Sequence, residues 1–179
     1  MPIALISPTT SLNKCMRNLG YLVAHTEKFK EMVGATTNAE AESRVHEFGV
    51  SDRLDPQTNE FVYPRPRAII MPGTHTHRTQ SPGGILRDGA LGLSFECDVP
   101  PEYAADAETE DTQRIDEWFA NTVETIIEQM HDLRMTPRNE VETYFCFEDI
   151  ELEDGPCEML DDQNGIFWAA VYRVNWFGL

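Results

Sequence analysis

Basic residues are scarce: 14 Lys and Arg stand against 31 Asp and Glu, a formal net charge of −17. Duplex nucleic acid is held largely by Lys and Arg neutralising phosphates, so a chain this acidic is not expected to grip DNA or RNA. An anionic membrane surface repels it for the same reason. Long apolar runs are missing too. No stretch reaches the roughly 18 apolar residues of a transmembrane helix. The opening Met1-Pro2-Ile3-Ala4-Leu5-Ile6 has no basic flank before a long apolar segment, so no secretion signal is expected. Cysteine is sparse, with Cys15, Cys97, Cys146 and Cys157 and no C-x-x-C pair. That excludes a disulfide scaffold and predicts reduced, mostly buried thiols in a protein made in a cytoplasm.

Several catalytic signatures are absent as well. There is no G-x-S-x-G elbow, no G-x-x-x-x-G-K-[ST] phosphate loop and no G-x-G-x-x-G, the local patterns that place a nucleophile or a phosphate. The acidic run from Glu148 to Asp154 raises the question of calcium. An EF-hand loop needs Gly at its sixth position and Glu at its twelfth, and a start at Asp161 puts Gly165 fifth and Tyr172 twelfth. The bland reading is a strand with a wet face. No pair of carboxylates is nominated as a glycosidase acid and base.

What remains is the material of an ordered domain. Of 179 residues, 41% are hydrophobic and 25% charged, ordinary globular usage, and the length suits a single domain over 1–179. Leu12, Cys15, Met16, Leu19, Leu22 and Val23 recur at helical spacing. Thr26 is a cap candidate for a short helix carrying Phe29, Met32 and Val33 and ending at Gly34. Asn38 is a cap candidate for a third helix through Ala39, Ala41, Val45 and Phe48 to Gly49. Two extended loops are expected, near 49–66 and 72–89, with a short strand 67–71 between them that Pro72-Gly73 ends. Leu91, Leu93, Phe95, Cys97 and Val99 alternate with Ala90, Gly92, Ser94, Glu96 and Asp98, a strand with one dry side.

The strongest helical signal follows. Ile115, Trp118, Phe119, Thr122, Val123, Ile126, Ile127, Met130 and Leu133 form one stripe, ended by Pro137. A strand is expected from Val141 to Leu152, with a phase break near Asp149. Asn164-Gly165 suits a type I′ turn, and a last strand over 166–177 puts Ile166, Trp168, Ala170, Tyr172, Val174 and Trp176 on one face. The fold class predicted is α+β: a mainly antiparallel sheet covered by a long helix, with short N-terminal helices.

Candidate sites are few. His75-Thr76-His77 could place two imidazoles on one ion if it lay on a strand, but its Pro and Gly neighbours suit a loop. His25, His46 and His131 read as residues of helix ends or faces. Cys15 and Cys97 lie in apolar patterns and read as core fillers, whereas Cys157 after Gly155-Pro156 reads as exposed. The aromatic tail, Phe167, Trp168, Tyr172, Trp176 and Phe177, suits either a central strand or a subunit contact.

Three segments carry a resemblance. They are Phe29-Lys30-Glu31-Met32-Val33-Gly34-Ala35 with Ala39-Glu40-Ala41 and Arg44-Val45-His46; Arg65-Pro66-Arg67-Ala68-Ile69-Ile70; and Glu151-Leu152-Glu153-Asp154-Gly155-Pro156 with the run Phe167 to Trp176. In these the chain resembles tailed-bacteriophage tail-completion and tail-terminator proteins. The resemblance implies a structural part of the virion tail or neck, made in the host cytoplasm, with no catalytic residue, cofactor or metal. It implies a homo-oligomeric ring, commonly of six copies, that caps the tail tube. Its partners are then the tail tube protein and a head-side connector or stopper protein, and genomic DNA passes without specific binding. The residues expected at subunit interfaces are Phe61, Tyr63, His75, His77, Arg78, Leu86, Arg87, Trp176 and Phe177. The alternatives are another neck, head-completion or minor tail protein, and, from a different class, a small cytosolic enzyme using His75, His77 or Cys157.

Overall fold

A computed structural model gives the fold and describes residues 12–47, 57, 63–80, 84–108, 112–135, 147–152, 158–162 and 165–178. Helix α1, Leu12–Ala24, follows its apolar period: Cys15, Met16, Leu19, Leu22 and Val23 are all buried. Thr26 caps α2, Glu27–Val33, accepting from the Phe29 N–H. Gly34 closes α2 with φ +66°, donating to the Glu31 carbonyl while Ala35 donates to that of Lys30. This is the paired arrangement that favours glycine at a helix end.

Helix α3, Asn38–Glu42, corrects one expectation. Its cap is Thr37, because Thr37 and Glu40 exchange side-chain and backbone hydrogen bonds as a capping box. The Asn38 side chain instead meets His25 at 3.3 Å. The helix stops at Glu42, and Val45 begins a strand, β1 (Val45–Glu47), which pairs in parallel with the next strand. His46 therefore sits on a strand, not on a helix as expected. Phe48 and Gly49 lie outside the described residues.

The larger correction concerns 72–89. Strand β2 runs from Arg67 to Gln80 and strand β3 from Gly84 to Asp98. They pair antiparallel from Arg67↔Glu96 out to Gln80↔Gly84, with one irregularity between Pro72 and His75. The expected loop is thus a long hairpin. Pro72 is tolerated because β1 pairs with β2 only as far as Ile70, so among the described residues no ladder bond on that side is lost. Gly73 absorbs the irregularity: a Cβ there would lie 2.2 Å from the Ala90 carbonyl oxygen. Of the other expected loop, 49–66, only 57 and 63–66 fall among the described residues.

A single 3-10 turn, Pro101–Tyr103, and a short helix α4, Ala104–Glu108, lead to α5, Gln113–Met135. Its stripe buries Ile115, Phe119, Thr122, Val123, Ile126, Ile127 and Met130. Strands β4 (Phe147–Leu152), β5 (Glu158–Asp162) and β6 (Gly165–Gly178) complete the sheet. The phase break near Asp149 is a register shift between Phe147 and Ile150. Strand β5 is not in the expected order of elements. Its pairing of Asp162 with Gly165 makes 163–164 the linking positions, one residue before the assigned turn. Pro137 and Val141 to Cys146 lie outside the described residues.

The sheet order is β1-β2-β3-β6-β4, with β5 continuing the β4 edge along β6. All pairs are antiparallel except β1 with β2. The fold is α+β, as the patterning predicts. Helices α1, α2 and α5 share one core with Ala68, Ile70, Leu91, Leu93, Phe95, Trp168, Tyr172 and Val174. Two links fix α5 and α2 to the sheet: Trp168 Nε1 donates to Asp116 Oδ1 at 2.6 Å, and Phe95 lies between Phe29 and Tyr172, with ring centroids 6.2 and 6.1 Å away. Among the described residues no helix is long and apolar enough to cross a membrane.

His46 adds a pH dependence. Its Nε2 is buried without a hydrogen-bond partner, and its ring meets Tyr63 edge-on at 4.8 Å. Burial, then the charges of Arg67 and Arg44, lower its pKa from 6.5 to about 4. Between those values the unfolded chain binds a proton that the folded chain refuses, so stability falls as pH drops through that window. Unfolding free energies measured from pH 7 to 4 are expected to decline less steeply in His46→Gln. An identical slope in variant and parent contradicts this placement.

Candidate functional site

The hairpin gathers five of the residues expected at an interface onto one ribbon. His75 stands opposite Gly89, His77 opposite Arg87, and Arg78 opposite Leu86. Strand β6 ends beside them, with Phe177 opposite Asp88 and Gly178 opposite Arg87. The outermost pairs, Arg78↔Leu86 to Gln80↔Gly84, therefore extend past the end of the β6 pairing. Tyr63 is exposed, and its carbonyl accepts from Arg67 at 2.6 Å. Trp176 corrects the expectation: it is 3% exposed and belongs to the core, because it follows Trp168, Ala170, Tyr172 and Val174 in phase onto the helix-covered face. Phe61 lies outside the described residues, as do Cys146 and Cys157.

At the opposite end of β3 lies a cleft. Its larger part, about 520 Å³, lies between α2, the segment before β2, the end of β3 and α5, with Met32, Arg65, Pro66, Cys97, Pro100 and Trp118 on its walls. A second part of about 390 Å³ adjoins it across Lys28, Trp118 and Thr122 and reaches Tyr103, Arg114 and Glu117. The aromatic centre is Trp118, whose ring lies 5.9 Å from that of Tyr103. The apolar stripe of α5 places Trp118 correctly on the inward side, but at the margin, where the helix start leaves the sheet.

The electrostatics of the cleft are uneven. Each of its cations already meets a carboxylate: Lys28 with Glu31 at 2.9 Å, Arg65 with Asp98 at 2.9 Å, and Arg114 with Asp106 at 3.2 Å. Arg65 also covers the Phe167 ring at 3.8 Å. Glu102 and Glu117, both exposed, meet no cation among the described residues; Glu117 accepts only from the neutral Gln113 amide. The cleft thus sets two carboxylates that meet no cation among the described residues beside an aromatic floor, while three cations and four carboxylates line it in all.

Cys97 lines the same wall, and its chemistry is quiet. Burial, with Asp98 and Glu102 nearby, pushes its thiol up to about 12. The reactive form of cysteine is the thiolate, so at neutral pH this sulfur acts as a wall atom, in keeping with the core role its alternation predicts. Among the described residues no three His, Cys, Asp or Glu side chains converge on a metal-holding group.

The cleft is the feature sequence reasoning missed. Its residues come from four separated segments, and the nearest local signal is Pro100-Pro101 set between a strand end and a helix start. A search against models of known protein families finds no match, and neither does a search of curated protein sequences.

Proposed function

We propose that this chain is a structural subunit of a tailed-phage virion, one that completes the tail tube and joins it to the head-side connector as a homo-oligomeric ring. The resemblance in three segments suggests the class. The observation that carries the reading furthest is the β2–β3 hairpin, which continues past the end of the β6 pairing. A ribbon beyond the shared sheet adds little to the core of its own chain and suits contact with a neighbour. A ring needs a heterologous contact, in which one patch meets a different patch on the next copy. The hairpin end and the cleft end of β3 offer two such patches.

The charge suits the same role. A body this acidic repels phosphate, so DNA passing through a ring lumen would slide rather than stick. The direct test is co-sedimentation of the purified chain with tail tubes polymerised from tube protein. Saturable binding at tube ends, a few copies per tube, is the expected result. Binding along the tube wall, or none, contradicts the reading.

A further inference from the structure

Strand β1 turns His46 toward the sheet face opposite the helices. Val45 is buried beside Ala68 in the helix-covered core, and alternation sends the next side chain the other way. There the His46 ring stands edge-on to that of Tyr63, at 4.8 Å. Its Nε2 is buried and meets no hydrogen-bond partner. The charged groups that act on it are Arg67 on β2 and Arg44 just before β1. Among the described residues no carboxylate answers them at the ring. Glu96 is committed to Arg67 at 2.6 Å, and Glu47 falls on the helix side of β1, where Arg17 of α1 acts on it.

The same two arginines hold the segment that carries Tyr63. Arg67 Nη1 donates to the Tyr63 carbonyl at 2.6 Å, and Arg44 Nη1 donates to the Pro64 carbonyl at 3.2 Å. Both Tyr63 and Pro64 are exposed. The next residue is firmly anchored: Arg65 meets Asp98 at 2.9 Å and covers the Phe167 ring at 3.8 Å. Tyr63-Pro64 is thus a short strap across His46, tied at two carbonyls and one ring contact, with its fixed end at Arg65.

We propose that Tyr63-Pro64 is an acid-released strap, which a proton on His46 lifts while the core stays folded. An imidazolium carries N–H on both ring nitrogens, so Nε2 becomes a charged donor buried without an acceptor, a costly state. It also faces two like charges, Arg67 and Arg44. Turning the ring into water relieves both penalties, and the Tyr63 ring must move to let it turn. The strap yields before the core because it is exposed and held by three contacts, and such segments open at the low end of the stability range. Loss of the proton closes it again. Tyr63 is one of the residues expected at a subunit contact, so acid changes what that surface presents. The device stands apart from the tail reading and survives its failure.

The test is NMR of the full chain from pH 7 to 3, following the His46 ring, the Tyr63 ring and the Trp168 indole N–H. His46 is expected to titrate below its ordinary 6.5. The cross-relaxation contacts between the His46 and Tyr63 rings should vanish at the same midpoint, while the Trp168 signal holds. Tyr63→Ala changes an exposed residue and should leave the fold intact. It should move the His46 midpoint upward by about one pH unit, a tenfold change in proton affinity. In His46→Gln, amide exchange at Arg65 should lose the acceleration that the parent shows as His46 charges. Ring contacts that persist once His46 is charged overturn the proposal. So does a His46 midpoint unmoved by Tyr63→Ala, and so does loss of the Trp168 signal together with the ring contacts, which marks global unfolding.

Discussion

Replacing Trp168 by alanine is expected to remove about 3–5 kcal/mol of folding stability. The side chain is 1% exposed and is among the largest fully buried groups in the core. Truncation leaves a void under α5 and also strips Asp116 of the indole N–H that donates to it at 2.6 Å. Against a typical total of about 5–15 kcal/mol for a domain, the variant should lose much of its margin. Trp168→Phe separates the two contributions. It keeps most of the volume and deletes the hydrogen bond to the carboxylate, worth about 1.5–3 kcal/mol, together with a smaller part of the packing than alanine removes. Equilibrium denaturant unfolding reads both. A loss below about 1 kcal/mol for the alanine variant would place Trp168 outside the core and discredit the β6 register on which the fold account depends.

The second large effect is expected at an exposed position. Gly73→Ala should cost about 1–3 kcal/mol, the range for forcing a group into filled space, although surface changes usually stay within about 0.5 kcal/mol. Both atoms that the new Cβ would crowd, the Ala90 carbonyl oxygen at 2.2 Å and its carbon at 2.9 Å, belong to backbone. No rotamer change relieves such a contact, so the irregularity between Pro72 and His75 must open. The damage should concentrate on the outer hairpin: faster amide exchange at 75–79 with 67–70 still protected. Gly92→Ala is the control. Its added Cβ meets Met71 atoms at 3.5 Å and beyond, ordinary contact distances, and it should be nearly neutral. Equal costs at the two glycines contradict the pairing described for β2 and β3.

Much of this architecture is legible in the residue pattern, and the exceptions have physical reasons. Helices α1 and α5 each bury a long stripe, and β3 and β6 each alternate over many residues, so period alone identifies them. Thr26 and Gly34 mark the ends of α2 because each satisfies backbone groups locally, Thr26 through its hydroxyl and Gly34 through a left-handed backbone that glycine adopts without strain. Pro72-Gly73 misleads because both residues usually punctuate, yet here they lie on a strand whose outer neighbour stops at Ile70. Val45 fits a helix as the fourth residue after Ala41 and fits a strand equally, and three residues are too few for a period to decide. Strand β5, Glu158–Asp162, has three acidic residues among its five and borrows its order from β6. Trp176 misleads through its place near the end of the sequence, whereas strand phase sends it into the core. The cleft has no local signature at all, since Lys28, Arg65, Glu102 and Trp118 meet only once the sheet has folded.

The most direct measurement is electron microscopy of particles assembled with the parent chain and without it. The account predicts a closed ring of density at the head-proximal end of each tail when the parent is present. Without the chain it predicts tails that lack the ring and fail to join heads. Tails of normal length and normal joining in the absence of the chain contradict it.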